Sequence, residues 1–114
     1  MKSFSKKLCE LKQLDKNGSA SFIAERDGKK ESFIVIRKEN NVFVYKNSCP
    51  HIGTPLDFSP GRFLSKDKNF IICSMHGALF RINDGFCISG PCAEQALAKI
   101  PTKIIEGIVF IPSH

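Results

Sequence analysis

Short apolar segments broken by turn dipeptides limit what this chain can fold into more than any other feature. The stretch ASFIAERDGKKESFIVIRKENNVFVYKN holds three of them, around Phe22–Ala24, Phe33–Ile36 and Val42–Tyr45, separated by Asp27-Gly28 and Asn40-Asn41. Such dipeptides favour the positive backbone angles of tight hairpins, so the spacing predicts an antiparallel meander. NFIICS at Asn69–Ser74 reads as a short buried strand. ALFRINDGFCISG reads as two strands joined at Asp84-Gly85, and AKIPTKIIEGIVFIPS as a closing pair turning at Glu106-Gly107. Helical spacing occurs only in CELKQLD near the start and CAEQALA at 92–98, one or two turns each. The expected class is all-β.

A length of 114 residues fits a single domain, 1–114, able to bury a core without staples. No apolar run is long enough for a membrane helix, and the N-terminal MKSFSKKLCELKQL has lysines but no apolar signal region. The cytoplasm is therefore the expected address, with no membrane contact. Five cysteines, an odd number, argue against a disulfide framework and for metal ligation or buried thiols. The net charge of +6 is spread over separate lysines. Diffuse basicity of this kind fits an acidic protein partner better than nucleic acid. A monomer is expected.

Two boxes then stand out: SCPHIGTPL, carrying Cys49-x-His51, and CSMHG, carrying Cys73-x-x-His76. With five Cys and three His in the chain, each pairing is expected about 0.13 times by chance, and both together roughly 0.02 times. Pro50 fixes the backbone between the first pair, and Gly53 and Gly77 permit a close approach or a positive φ just past each histidine. The residues between the boxes, with Pro55, Pro60 and Gly61, read as a loop on a β scaffold. A structural zinc site is one reading, although zinc modules usually pair ligands of one kind. One Cys and one His per loop also suits a centre of two irons, one held by two thiolates and the other by two imidazoles.

CPHIGTPL and CSMHGALF resemble the C-x-H and C-x-x-H boxes of Rieske-type [2Fe-2S] ferredoxins of the soluble, low-potential kind. DGFCISGP resembles the family's stretch in which a proline-containing loop, here with Pro91, covers the cluster. The similarity runs from about Lys7 to Pro112. It implies a Rieske-like antiparallel β-sandwich with a two-loop cluster-binding subdomain at about 46–92, and one Rieske [2Fe-2S] cluster. Cys49 and Cys73 would hold the inner iron, His51 and His76 the outer one. Where membrane-bound relatives carry a further disulfide this chain has Thr54 and Met75, and where they set hydroxyls against the cluster it has Ala78 and Phe80. Neither a membrane anchor nor the mononuclear iron domain of oxygenases is therefore expected. The resemblance implies a one-electron carrier between a flavoprotein reductase and a terminal oxygenase, with no catalytic residues of its own. A Rieske-type small subunit of a nitrite reductase is the nearest alternative, and a structural zinc-binding interaction module the alternative from another class.

Leu56 and Phe80, each close to a box, are candidates for excluding water from the cluster. Cys87 and Cys92 share the C-x4-C spacing of plant-type ferredoxins but lack that motif's other cysteines, so Cys87 reads as a strand residue and Cys92 as packed beside Pro91. Cys9 reads as core or surface, and Asp57 and Asp67 as solvated loop charges.

Overall fold

The structure, a computed structural model, describes residues 6–14, 18–26, 28–38, 41–47, 64–65, 69–72, 77–90 and 95–112. Among the described residues ten strands run β1 (Lys6–Glu10), β2 (Ser19–Arg26), β3 (Lys29–Lys38), β4 (Asn41–Lys46), β5 (Phe70–Ile72), β6 (Leu79–Arg81), β7 (Cys87–Ser89), β8 (Lys99–Ile100), β9 (Lys103–Ile105) and β10 (Ile108–Ile111). They form three sheets, in the orders β1-β10-β9, β2-β3-β4-β8 and β5-β6-β7, and every pairing is antiparallel.

The alternation of side chains along β3 explains the layering. Phe33 and Val35 point to one side, where they meet Cys9, Val44, Val109 and Ile111 in a core shared with β1 and β10. Ile34 and Ile36 point to the other, where they meet Tyr45, Ile71, Ala78, Phe80, Cys87 and Leu97. The centre of β3, Phe33–Ile36, is therefore an unbroken apolar run because both its faces are covered. The middle sheet separates two cores, and the β5–β7 sheet packs over the Ile34 face. Burying each such Val, Ile or Phe stabilises the fold by about 1.5–3 kcal/mol.

The meander matches expectation. β2 and β3 pair without interruption from Ser19↔Ile36 to Arg26↔Lys29, and the turn contains Gly28 at φ +76°. The Glu106-Gly107 turn lies between β9 and β10, where both residues have positive φ. The first helical expectation is met in part and the second is corrected. CELKQLD begins inside β1, and its described residues hold one 3-10 turn, Leu11–Gln13. The described part of CAEQALA is extended: Ala96 bridges to Phe86, and the Cys87 N–H donates to the Gln95 carbonyl at 2.8 Å. Cross-strand pairing overrides the helix propensity of Ala, Glu and Gln.

Candidate metal centre

Cys49, His51, Cys73 and His76 lie outside the described residues, as do Pro50, Gly53, Leu56, Met75 and Pro91. The frame that carries them is described. β4 ends at Lys46, and Asn47 continues its ladder for one more residue through an N–H bond to the Ser32 carbonyl at 2.9 Å; Cys49 follows two positions later. β5 ends at Ile72, immediately before Cys73, and the chain returns from His76 at Gly77 and Ala78 into β6. Tyr45 of β4 and Ile71 of β5 are both wholly buried in the same core, so the strands that lead into the two boxes are packed together.

Gly77 has φ +66°, and a Cβ built on it would meet nothing within 4 Å. Its glycine is required by conformation rather than by crowding. Gly90 is the opposite case. At φ +104°, its Cβ would lie 2.8 Å from the Ala78 Cα. The backbone entering Pro91 therefore rests on the backbone leaving the second box, and Ala78, fully buried, is small enough to allow it. Phe80 is wholly buried in the core between the middle sheet and the β5–β7 sheet, opposite Ile71 and Cys87. It is an anchor of the sheet from which the second box springs.

The same sheet is locked to β4 by Tyr45. Its hydroxyl donates to the Ile82 carbonyl, and its ring fills the space a side chain at Gly85 would need, with Cε1 2.8 Å from that Cβ position. Burial, aided by the Asp84 carboxylate, raises the phenol above its ordinary range, so it remains a donor at all physiological pH. Asp84 closes the β6–β7 turn by accepting from the Phe86 N–H at 2.9 Å and from Arg81 Nε at 3.0 Å. Arg81 foremost, and then that backbone bond, hold its carboxyl below the usual range. Cys87, the expected strand residue, is buried and donates to the Ser89 carbonyl at 3.2 Å. Cys9 is core: burial pushes its thiol up to about 11 against the pull of Lys7, so it stays protonated. The parts of this frame that the motifs do not announce are Asn47, Tyr45 and the Ala78–Gly90 contact. The one sequence signal for the last is a glycine followed by proline beyond a strand.

Two thiol and two imidazole donors, one of each kind per box, form a donor set that fits a two-iron centre, and the frame brings the strands leading to both boxes into one core. The family model of the Rieske [2Fe-2S] domain matches residues 5–106. The ferredoxin of carbazole 1,9a-dioxygenase from Nocardioides aromaticivorans IC177 shares the fold at TM-score 0.75 and 19% identity, over 98% of this chain and 100% of that one. The ferredoxin of Sphingomonas yanoikuyae B1 does so at TM-score 0.75 and 25% identity, over 95% and 97%. The cholesterol 7-desaturase of Drosophila melanogaster is 30% identical over 74% of this chain, which spans only 20% of that protein's length. The family match covers both boxes, the strands that lead into them and the loop that follows, and the chain belongs to the Rieske [2Fe-2S] domain family, whose cofactor is one [2Fe-2S] cluster of the Rieske type.

Proposed function

We propose that the protein is a one-electron carrier that takes an electron from a flavoprotein reductase and passes it to a terminal oxygenase. The observation that carries this reading is coverage. The fold match extends over 100% and 97% of two chains that are themselves ferredoxins, one of them the ferredoxin of a dioxygenase. In this reading residues 1–114 are one domain, with a cluster-binding part at about 46–92. Cys49 and Cys73 hold one iron as thiolates, and His51 and His76 hold the other through neutral imidazoles. The bound cluster supplies a single reversible electron. The protein's own part is to hold these ligands on stiff strand ends, to keep water from the thiolate side with the buried core around Ile71, Ala78 and Phe80, and to leave the histidine edge open to a partner.

A second reading is favoured by the desaturase match, in which the similar segment is a fifth of a larger enzyme: the same domain then feeds an iron centre within one polypeptide or complex. One experiment separates the readings. The protein, purified anaerobically, is assayed for iron, acid-labile sulfide and zinc, and its dithionite-reduced form is examined by EPR. It is then mixed with an NADH-dependent flavoprotein reductase and a Rieske oxygenase depleted of its own ferredoxin. Two irons and two sulfides, a reduced signal of low average g, and restored turnover support the carrier. A normal cluster with no electron transfer in either direction favours the second reading, and normal cluster content in Cys73→Ser overturns the ligand assignment.

A further inference from the structure

Asn47 is the one buried amide side chain among the described residues, 9% exposed, and it sits two positions before Cys49. A buried amide calls for an explanation, because an apolar side chain would fill the same space with nothing to satisfy. Here the bonds give one. The Asn47 N–H donates to the Ser32 carbonyl at 2.9 Å, and Asn47 Nδ2 donates to Ser32 Oγ at 3.2 Å. Backbone and side chain of one residue are thus tied to backbone and side chain of another, on β3. By strand alternation Ser32 shares a face with Ile34 and Ile36, and Asn47 shares one with Tyr45. That face packs on the sheet from which Cys73 emerges. β3 itself is held on both sides, by β2 and β4, so Ser32 is a fixed point.

We infer that Asn47 is a positioning residue for the metal centre: through Ser32 it fixes the direction in which the chain leaves β4, and so the placement of the Cys49 thiolate. The inference rests on the ligand set proposed above. A ladder bond alone would hold the strand end in the sheet but leave the chain beyond it able to rotate. The side-chain bond adds a second restraint at Asn47, on its Cα–Cβ direction as well as its N–H, and so narrows that freedom. Asn47 acts through Cys49 and need touch neither iron nor partner.

The test uses the cluster-loaded protein and readouts that a general loss of stability leaves unmoved. Asn47→Ala, Ser32→Ala, the double variant and Asn47→Asp are compared with wild type, and Val109→Ala, in the far core, serves as a control that costs stability without approaching the boxes. Asn47→Ala and Ser32→Ala each broaden the reduced EPR features, because the ligand samples a spread of geometries, and each speeds cluster loss to a chelator about tenfold. The double variant adds little to either single one, as expected for a single shared interaction. Asn47→Asp, which accepts from the Ser32 hydroxyl, recovers most of the wild-type linewidth and the slow loss. Val109→Ala unfolds more easily and keeps the wild-type EPR line. If Asn47→Ala yields no loaded protein, Ser32→Ala and Asn47→Asp carry the comparison. Wild-type linewidth and chelator rate in both Ser32→Ala and Asn47→Ala, or additive effects in the double variant, overturn the inference while the cluster stands. A wild-type protein without iron and sulfide overturns the ligand reading first, and this inference with it.

Discussion

A single methyl group tests the contact between Gly90 and Ala78. Gly90 combines φ +104° with a Cβ position 2.8 Å from the Ala78 Cα, so Gly90→Ala meets both a strained backbone and a backbone neighbour that has no flexible end to move aside. The expected cost is about 1–3 kcal/mol of stability, with faster cluster loss, because the substitution pushes the two segments apart. Chemical denaturation and chelator kinetics on the loaded protein check both. Gly77→Ala is the instructive partner: its Cβ meets nothing within 4 Å, so its cost is conformational alone, about 1 kcal/mol. Equal effects at the two positions would show that the close approach is immaterial. Tyr45→Phe belongs to the same scale. It leaves the Ile82 carbonyl without its hydroxyl donor in a wholly buried site, and the expected loss is about 1–3 kcal/mol, seen as a lower unfolding midpoint with an unchanged EPR signal. The positive φ of Gly77 was readable as a glycine just past a ligand box, the Gly90 contact had only a glycine before proline to signal it, and the Tyr45 bond had no signal. The boxes announce themselves because ligands must be particular residue types at particular spacings. Gly90 and Tyr45 matter through a distance to residues 12 and 37 positions away, which no local pattern encodes.

Among the elements, the β2–β3 hairpin was the most legible, because its apolar segments and its Asp-Gly turn agree with each other. β1 and β8 were not. β1 carries a bulge between Lys7 and Cys9 that breaks its alternation, and β8 is two residues long, defined only by its pairing with Val44 and Tyr45. The hairpin also carries the fold's best-placed ion pair. Arg26 Nε meets Glu31 at 2.9 Å with both side chains mostly buried, while the same guanidinium lies 5.2 Å from the Phe33 ring centroid and donates to the Pro112 carbonyl at 3.3 Å. The hydrogen bond from Arg26 is the foremost cause of the depressed Glu31 carboxyl, outweighing the opposing effect of burial. A carboxyl whose folded pKa lies below its unfolded one stabilises the fold fully above the unfolded value, about 4.3. That contribution is lost as pH falls through the folded value, because the unfolded chain takes up the proton first. Glu31→Gln should therefore cost about 1 kcal/mol at neutral pH, and the gap to wild type should narrow below about pH 4. Urea unfolding at the two pH values measures it. A gap that stays constant would mean the carboxylate charge contributes nothing.

At the scale of the whole molecule, charge governs encounter. The chain has 17 Lys and Arg against 11 Asp and Glu. With the ligands proposed above, loading the cluster would hardly alter the balance: two cysteines would lose their protons, an oxidised two-iron, two-sulfide core would add two positive charges, and the reduced protein would stand near +5. Several cations are already engaged, Lys7 and Lys12 with Glu10, Arg26 with Glu31 and Arg81 with Asp84, so the net charge is carried mainly by other exposed lysines, among them Lys29, Lys30, Lys38, Lys46, Lys99 and Lys103. Such a protein attracts anionic partners at long range, and salt shortens that reach from about 30 Å at 0.01 M to about 8 Å at 0.15 M. The effect can be read without the natural partner, by oxidising the reduced, loaded protein with an anionic complex, hexacyanoferrate(III), and separately with a cationic one, hexaamminecobalt(III), in a stopped-flow instrument. Oxidation by the anion should slow several-fold over that range of salt, and oxidation by the cation should quicken. If neither rate responds to salt, the positive charge lies away from the surface through which the electron leaves. If the two responses are reversed, that surface is locally acidic despite the net charge, and the natural partner presents a basic face instead.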